Sequence, residues 1–352
     1  MHHLTLLLNA RRARNATLGA LILAVPALAP AADAPSVSVG AGLRTSFTHA
    51  EAGTASTDDF SLDSIRLYVN GQAADNIKFT FNTEYNGSQL ILMDAIARFE
   101  FTDKFNIWAG RFLPPTDRAN LYGPYYANNW AVYNDGVQDG YPSVAVGRDN
   151  GVAYWGQFGK VKVSAGAFDV PSSLGTSNVL GAARLMVDLL DPEPGYYLNG
   201  TYYGKDILAF GVAAQRLKGN DAYSADGLFE KKLGNGGVLN VESEYAKYKN
   251  LGGYDASYAT SDGYYGLVSY LFPVPAGPGK FQLLGKYAKA NYSDGVTTFN
   301  ATHPYNQKTT DFEVNYVIKD FNARLSLFYV DTKFSAVYPD NKKYGLGIQL
   351  QM

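Results

Sequence analysis

The stretch SIRLYVNGQAADNIKFTFNTE, residues 64–84, decides how this chain folds. Ile65, Leu67 and Val69 fall on one side of an extended segment and Ser64, Arg66, Tyr68 and Asn70 on the other, because successive strand side chains point to opposite faces. The next run repeats the pattern, with Ile77, Phe79 and Phe81 opposing Lys78, Thr80, Asn82 and Glu84. Ala73 to Asn76 supplies a short turn between them. The two runs therefore predict a β-hairpin with one apolar and one polar, charged face.

The same alternation extends outward in both directions. Val37, Val39, Ala41 and Leu43 oppose Ser38, Gly40, Gly42 and Arg44; Ile91, Met93, Ala95, Ala97, Phe99 and Phe101 stand against Asp94, Arg98 and Glu100; Phe105, Ile107 and Ala109 follow. Further strands are predicted near 150–158, 161–169, 181–203, 207–217, 224–233, 238–249, 263–272, 280–290, 309–318, 322–333 and 343–352. The segment 181–203 is over-long and is counted once, with Asp191-Pro192-Glu193-Pro194-Gly195 read as a bulge, a turn or a loop helix. Counted so there are 16 strands, 18 being the other count considered, and connections alternate between short (102–104, 159–160, 204–206, 234–237, 319–321) and long (48–59, 113–149, 250–262, 291–308). An even number of antiparallel strands with short turns at one end and long loops at the other is the pattern of a transmembrane antiparallel β-barrel, closed so that no strand edge is left open. A periplasmic β-sandwich would alternate too, but it would bury one face of each strand in a shared aliphatic core. Here the polar faces carry Lys78, Glu84, Arg98, Glu242, Glu244 and Lys286.

The N-terminus reads as an export signal. Arg11, Arg12 and Arg14 precede an apolar run from Thr17 to Leu28, and Ala29-Pro30-Ala31 offers a cleavage site. The run is too short and too interrupted by Pro26 and Pro30 to span a bilayer as a helix, for which roughly 20 apolar residues are needed. The expected division is a signal peptide at 1–31 and an outer-membrane barrel at 32–352. Loss of the three arginines takes the formal net charge of -2 to about -5, which disfavours nucleic acid as a partner. With no Cys there is no disulfide scaffold and no thiolate metal site, while 36 Gly, 27 Tyr and 19 Phe suit tight turns and membrane-interface aromatics.

From Ser64 to Gly151 the chain resembles the porin O/P family of outer-membrane channels, whose best-known members are phosphate-selective. The resemblance is carried by Arg66-Leu67 with Gly71, Asp94-Ala95 with Arg98, Gly110-Arg111-Phe112-Leu113-Pro114-Pro115, and Gly147-Arg148-Asp149-Asn150-Gly151. Weaker similarity runs through Gly234 to Glu244 and Gly263 to Tyr287. The resemblance implies a 16-stranded barrel, a trimer, and a third external loop folded into the lumen. Two features depart from it. The chain ends on Met352 where such barrels commonly end on an aromatic read by the barrel-assembly machinery, and its inward charges include about as many acids as bases, where phosphate-selective members line the pore with arginines and lysines.

The connection from Leu113 to Asp149 holds Arg118, Tyr122, Tyr125, Tyr126, Trp130, Tyr133, Asp135, Asp139, Tyr141 and Arg148, an aromatic density that argues for order and for a constriction loop, with an external cap or trimer contact as the other reading. Gly147 to Gly151 reads first as a latch for that loop. Alternation aims Arg44, Arg66, Lys78, Arg98, Arg184, Lys286 and Arg324 inward as pore cations, and Glu84, Asp94, Asp188, Glu230, Glu242, Glu244 and Glu313 as pore anions, about half of them expected to brace the wall as ion pairs. An enzyme has little to draw on: His2 and His3 lie in the leader, His49 and His303 in separate loops, and no complete dinucleotide or phosphate-loop motif appears. No cofactor is expected. The reading is an outer-membrane channel for ions and small polar solutes, assembled as a homotrimer in outer-membrane lipid and lipopolysaccharide. The rivals are a phosphate or anion channel and a structural or adhesive barrel.

Overall fold

The computed structural model describes residues 35–85, 88–137, 147–169, 179–218, 220–249, 260–294, 305–335 and 338–352; the expected leader at 1–31 lies outside them. Sixteen strands form one closed antiparallel barrel. They are β1 (Ser36–Ala52), β2 (Ala55–Ala74), β3 (Ile77–Tyr85), β4 (Leu90–Thr102), β5 (Phe105–Phe112), β6 (Asp149–Phe158), β7 (Val161–Asp169) and β8 (Val179–Asp188), then β9 (Ile207–Leu217), β10 (Asn220–Lys232), β11 (Val238–Lys249), β12 (Thr260–Ala276), β13 (Gly279–Asp294), β14 (Tyr305–Lys319), β15 (Ala323–Phe334) and β16 (Asn341–Gln351). Each strand pairs with its chain neighbours, and β16 closes on β1 from Gly42 opposite Gln351 to Ala52 opposite Asn341. The only helix among the described residues, α1 (Arg118–Tyr126), lies in the third loop.

Alternation places the side chains. In β1, Gly42, Arg44, Ser46 and Thr48 are buried, while Val37, Val39 and Phe47 are exposed. In β10, Ala222, Leu228 and Glu230 are buried and Tyr223 is exposed. A chain whose exposed side chains include Phe60 at 84%, Phe312 at 59% and Leu327 at 57%, while Glu230 and Glu242 are at 0%, has its polarity inverted relative to a protein in water. Exposed aromatics gather near both rims. Tyr223, Tyr245, Tyr264 and Tyr344 stand toward the loop end; Phe101, Phe105, Phe158 and Phe281 stand toward the end that carries the short turns. Paired aromatic girdles around an aliphatic band match the interfaces of a bilayer. No described helix is long and apolar enough to cross a membrane.

Three connections differ from the sequence expectation. The long loop expected at 48–59 is a hairpin: β1 and β2 stay paired to Ala52 opposite Ala55. Its residues are polar on both faces, which hides the alternation, yet a backbone ladder forms without apolar side chains. His49 stands opposite Asp58 with Nδ1 and Oδ1 2.7 Å apart, and Gly53 at φ +60° closes the turn. β9 ends at Leu217 and β10 begins at Asn220, so loop lengths do not alternate strictly.

The third difference matters most. The segment expected as one bulged strand over 181–203 is a strand only to Asp188, and residues 189–206 form a long connection at the turn end. Pro192 and Pro194 supply no amide hydrogens and cannot continue a ladder. A buried carboxylate takes over instead. Glu230 accepts hydrogen bonds from the backbone of Tyr202 at 2.8 Å, Gly204 at 2.7 Å and Lys205 at 3.1 Å, and from Thr201 Oγ1 at 2.6 Å. Since Glu230 faces inward from β10, the connection turns back into the barrel rather than skirting its rim.

Candidate functional site

The closed barrel encloses a lumen, and two chain segments enter it. The third loop leaves β5 through Leu113-Pro114-Pro115 and starts α1 on Asp117, whose side chain caps the helix by accepting from Asn120 N at 2.8 Å. Burial raises the Asp117 carboxyl above its usual range. Gly123 at φ +64° and Pro124 break the helix, and the chain runs on across the barrel. Its contacts reach strands far apart in the wall. Ala119 N donates to Glu244 at 3.2 Å and Tyr122 OH to Glu242 at 2.8 Å on β11; Tyr125 OH donates to Ser64 O on β2 at 3.1 Å. Trp130 N donates to Glu313 on β14 at 2.5 Å, Arg324 of β15 donates to Ala127 O and Asn128 O at 3.0 and 2.9 Å, and Lys286 of β13 pairs with Asp135 at 2.5 Å. Glycines on the inner wall admit this close approach. A Cβ on Gly42 would lie 2.7 Å from the Tyr125 ring.

The 189–206 connection enters from the other end and meets α1. Arg118 and Glu193, both fully enclosed, form a two-pronged pair at 2.8 and 2.5 Å, and Arg118 also donates to Asn199 O at 3.1 Å. Burial alone would lower the guanidinium and raise the carboxyl. Their mutual charge and hydrogen bonds outweigh it, holding Arg118 well above and Glu193 below its ordinary range. Asp226 of β10 joins through Arg118 Nε at 3.5 Å and through Arg184 at 2.5 and 2.7 Å. Tyr196 OH donates to Leu113 O at 2.8 Å, Gly200 N to Tyr126 O at 2.9 Å, and Lys162 of β7 to Glu193 O at 2.6 Å. Phe112, Leu121, Tyr122, Tyr196 and Leu198 pack with Ala153, Phe168, Leu180, Met186, Leu267 and Leu284 of the wall into one apolar cluster inside the barrel. Loop and connection are thus one packed body against the inner faces of β6 to β16, reaching β1 and β2 through Tyr125.

The opposite wall stays open. Glu242 and Gln349 are at 0% exposure and Arg324 at 1%, but the side chains of Lys78 and Glu84 on β3 and of Arg98 and Glu100 on β4 keep 33%, 13%, 22% and 17%. Arg66 stands opposite Glu84 and donates to it at 3.0 and 2.8 Å. Lys78 reaches Glu100 at 2.9 Å, with Arg98 Nε 3.8 Å from the same carboxylate. Arg148 pairs with Asp94 at 3.2 Å. Along this strip four cations face three carboxylates. A cavity of about 530 Å³ lies at its turn end and one of about 310 Å³, bordered by Arg44, Asp63, Trp130 and Lys343, on the loop side.

The sequence-derived site residues therefore separate into two sets. Lys78 and Arg98 lie on the open strip; Arg66 and Arg148 are buried at its edge, Arg66 4.9 Å over the Tyr125 ring and Arg148 paired with Asp94, and Tyr126, 37% exposed, packs edge-on against Phe321. Arg118, Tyr122, Asp135, Glu242, Glu244, Lys286 and Arg324 are buried where the inserted segments meet the wall. Asp139 lies outside the described residues. Sequence reasoning passed over Glu193, Asp226, Trp108 and Trp155. A lone carboxylate between two prolines was the one signal available for Glu193.

Among solved structures, the chain is similar to OprB of Pseudomonas putida, at TM-score 0.63 and 12% identity over 90% of this chain and 94% of that one. It is also similar to the outer-membrane channel DcaP of Acinetobacter baumannii, at 0.57 and 13% over 90% and 97%. An anion-selective porin from Comamonas acidovorans follows at 0.55 and 15%, over 91% of this chain and all of that one. At these identities the likeness is one of fold, that of outer-membrane porin barrels. No protein-family model matches the sequence, and no curated protein does.

Proposed function

We propose that this chain is an outer-membrane porin that admits ions and small polar solutes by passive diffusion along the wall of β3 and β4. The observation that carries the reading is the division of the lumen. Two inserted segments cover most of the inner wall, from β6 round to β16 and onto β1 and β2, and the charges of β3 and β4 are left partly exposed. Exposed charges of both signs in a narrowed, water-filled barrel favour hydrated ions and polar molecules. In this reading the export signal is cleaved near residue 31, the turn end faces the periplasm, and three copies assemble in outer-membrane lipid with lipopolysaccharide around them. The strip sets the selectivity. Each of its cations has a carboxylate neighbour, so the excess of one positive charge supports only a weak anion preference. A phosphate-specific pore needs a continuous cationic path. Planar-bilayer conductance under a salt gradient tests the proposal: discrete channels with a small anion-directed reversal potential are expected, and a refolded, heat-modifiable barrel that never conducts would refute it.

A further inference from the structure

The cavity at the turn end is built by strand register. Lys78, Arg98 and Trp108 stand side by side across β3, β4 and β5, and Glu100, Asn106 and Trp155 form the adjoining row across β4, β5 and β6. The inserted connection completes the lining with Pro194, Gly195, Tyr196 and Tyr197. Four rings pack into one tilted, edge-to-face cluster: Trp108 lies 4.8 Å from Tyr196, 5.6 Å from Tyr197 and 6.0 Å from Trp155, centroid to centroid. Trp108 and Tyr196 are its buried underside; Trp155 and Tyr197 are only partly buried and border the cavity. Lys78, Arg98, Glu100 and Asp103, two charges of each sign, complete the lining beside the rings: Arg98 lies 5.7 Å over Trp108, and Glu100 accepts from Trp108 Nε1 at 3.1 Å.

We infer that this cavity is a binding subsite for a neutral ring-form sugar. The inference rests on the channel reading, since the subsite lies on the open strip, and it names a solute class for it. A pyranose has a flat C–H face that an aromatic surface accepts and a rim of hydroxyls that both donate and accept. Rings beside balanced charges answer both needs. A carboxylate or phosphate solute meets Glu100 and Asp103, and an amine meets Lys78 and Arg98, so a net charge of either sign is disfavoured. Polar capacity remains to be met at the site. Trp155 Nε1 has no hydrogen-bond partner, and Arg98 Nε has none closer than the 3.8 Å contact with Glu100. About 530 Å³ is room for one monosaccharide with its water, within the size of ordinary small-molecule sites.

Intrinsic fluorescence of the detergent-folded protein, titrated in parallel with D-glucose, sorbitol and sodium benzoate, reads the subsite whether or not the barrel conducts. Glucose is expected to shift the signal saturably at millimolar concentration, while sorbitol, which offers the same hydroxyls without a ring face, does not. Tyr197→Ala, which leaves all three tryptophans as reporters, is expected to weaken the glucose response by about tenfold. In bilayers, glucose is expected to reduce the ion current and Trp155→Ala to remove that block. Equal responses to glucose and sorbitol, a response to benzoate alone, or an undiminished response in a correctly folded Tyr197→Ala protein would each overturn the inference. Absence of conductance with a normal glucose titration would instead count against the channel and leave the subsite standing.

Discussion

Glu193→Ala is expected to loosen the inserted body without opening the barrel wall. The Arg118–Glu193 pair is fully enclosed on both sides and joins the third loop to the 189–206 connection. Removing one partner from a buried pair costs about 3–5 kcal/mol, because the other charge stays behind unpaired. Asp226 remains 3.5 Å from Arg118 Nε, although it already accepts two bonds from Arg184, so the lower end applies. About 3 kcal/mol raises the population with the connection detached from α1 by roughly a hundredfold. Single-channel recording should then resolve added conductance levels and flicker, while heat-modifiability stays normal because the ladder from β1 to β16 is untouched. The pair also fixes a pH window. A carboxyl held below its ordinary value contributes stability that is present above the ordinary carboxylate range and is lost as pH falls through the lowered value. Arg118, held well above its own ordinary value, stays charged throughout. Wild-type conductance should therefore be steady from about pH 5 to 8, with flicker appearing only below about pH 4, and the Glu193→Ala channel should flicker throughout. A quiet Glu193→Ala channel, or a wild-type gating step near neutrality, would refute the latch.

Arg66→Ala combined with Arg98→Ala takes the strip from four cations against three carboxylates to two against three, so the reversal potential in a salt gradient should move toward cations. Millimolar phosphate should block chloride current little, and strong block at low concentration would restore the phosphate-channel assignment. Replacing residues 119–134 with a short Gly-Ser linker should raise single-channel conductance, and an unchanged value would place the loop outside the passage. Gly42→Val sets a side chain against the Tyr125 ring, which a Cβ alone would meet at 2.7 Å, and should cost about 1–3 kcal/mol by overpacking, read as protease sensitivity near Tyr125 in an otherwise folded barrel.

The wall was legible because its physics is local. Alternation at Ile65 to Asn70 or Ile77 to Glu84 needs no knowledge of the partner strand, and the even count follows from closing the edges. Legibility failed where another force replaced the apolar stripe. The β1–β2 hairpin above His49 is held by backbone pairing and polar cross-strand contacts, so it looked like a loop. β8 is apolar on both faces, with Leu180, Ala182 and Met186 inside as well as Val179 and Leu185 outside, because its inner face packs against an inserted segment rather than water. Its continuation into the two prolines then passed for more strand.

The lumen was half legible for the same reason. Period two says that Glu242 and Lys78 both point inward, and it says nothing about what lies across from them. Glu242 meets Tyr122 at 2.8 Å and Tyr265 at 2.5 Å and is sealed; Lys78 donates to Glu100 at 2.9 Å and keeps a third of its side chain exposed. What decides between anchor and lining is where two non-strand segments run, and that course is set by single buried groups such as Glu193 and Glu230, each drawing on donors distant in sequence. An inward charge in a barrel of this width thus becomes part of the passage only where no inserted segment presents it with a donor or acceptor. On the proposed channel reading that test favours β3 and β4, where Lys78 pairs with Glu100 along the wall, over Arg66 and Asp94, which meet Tyr125 and Arg148 of the third loop.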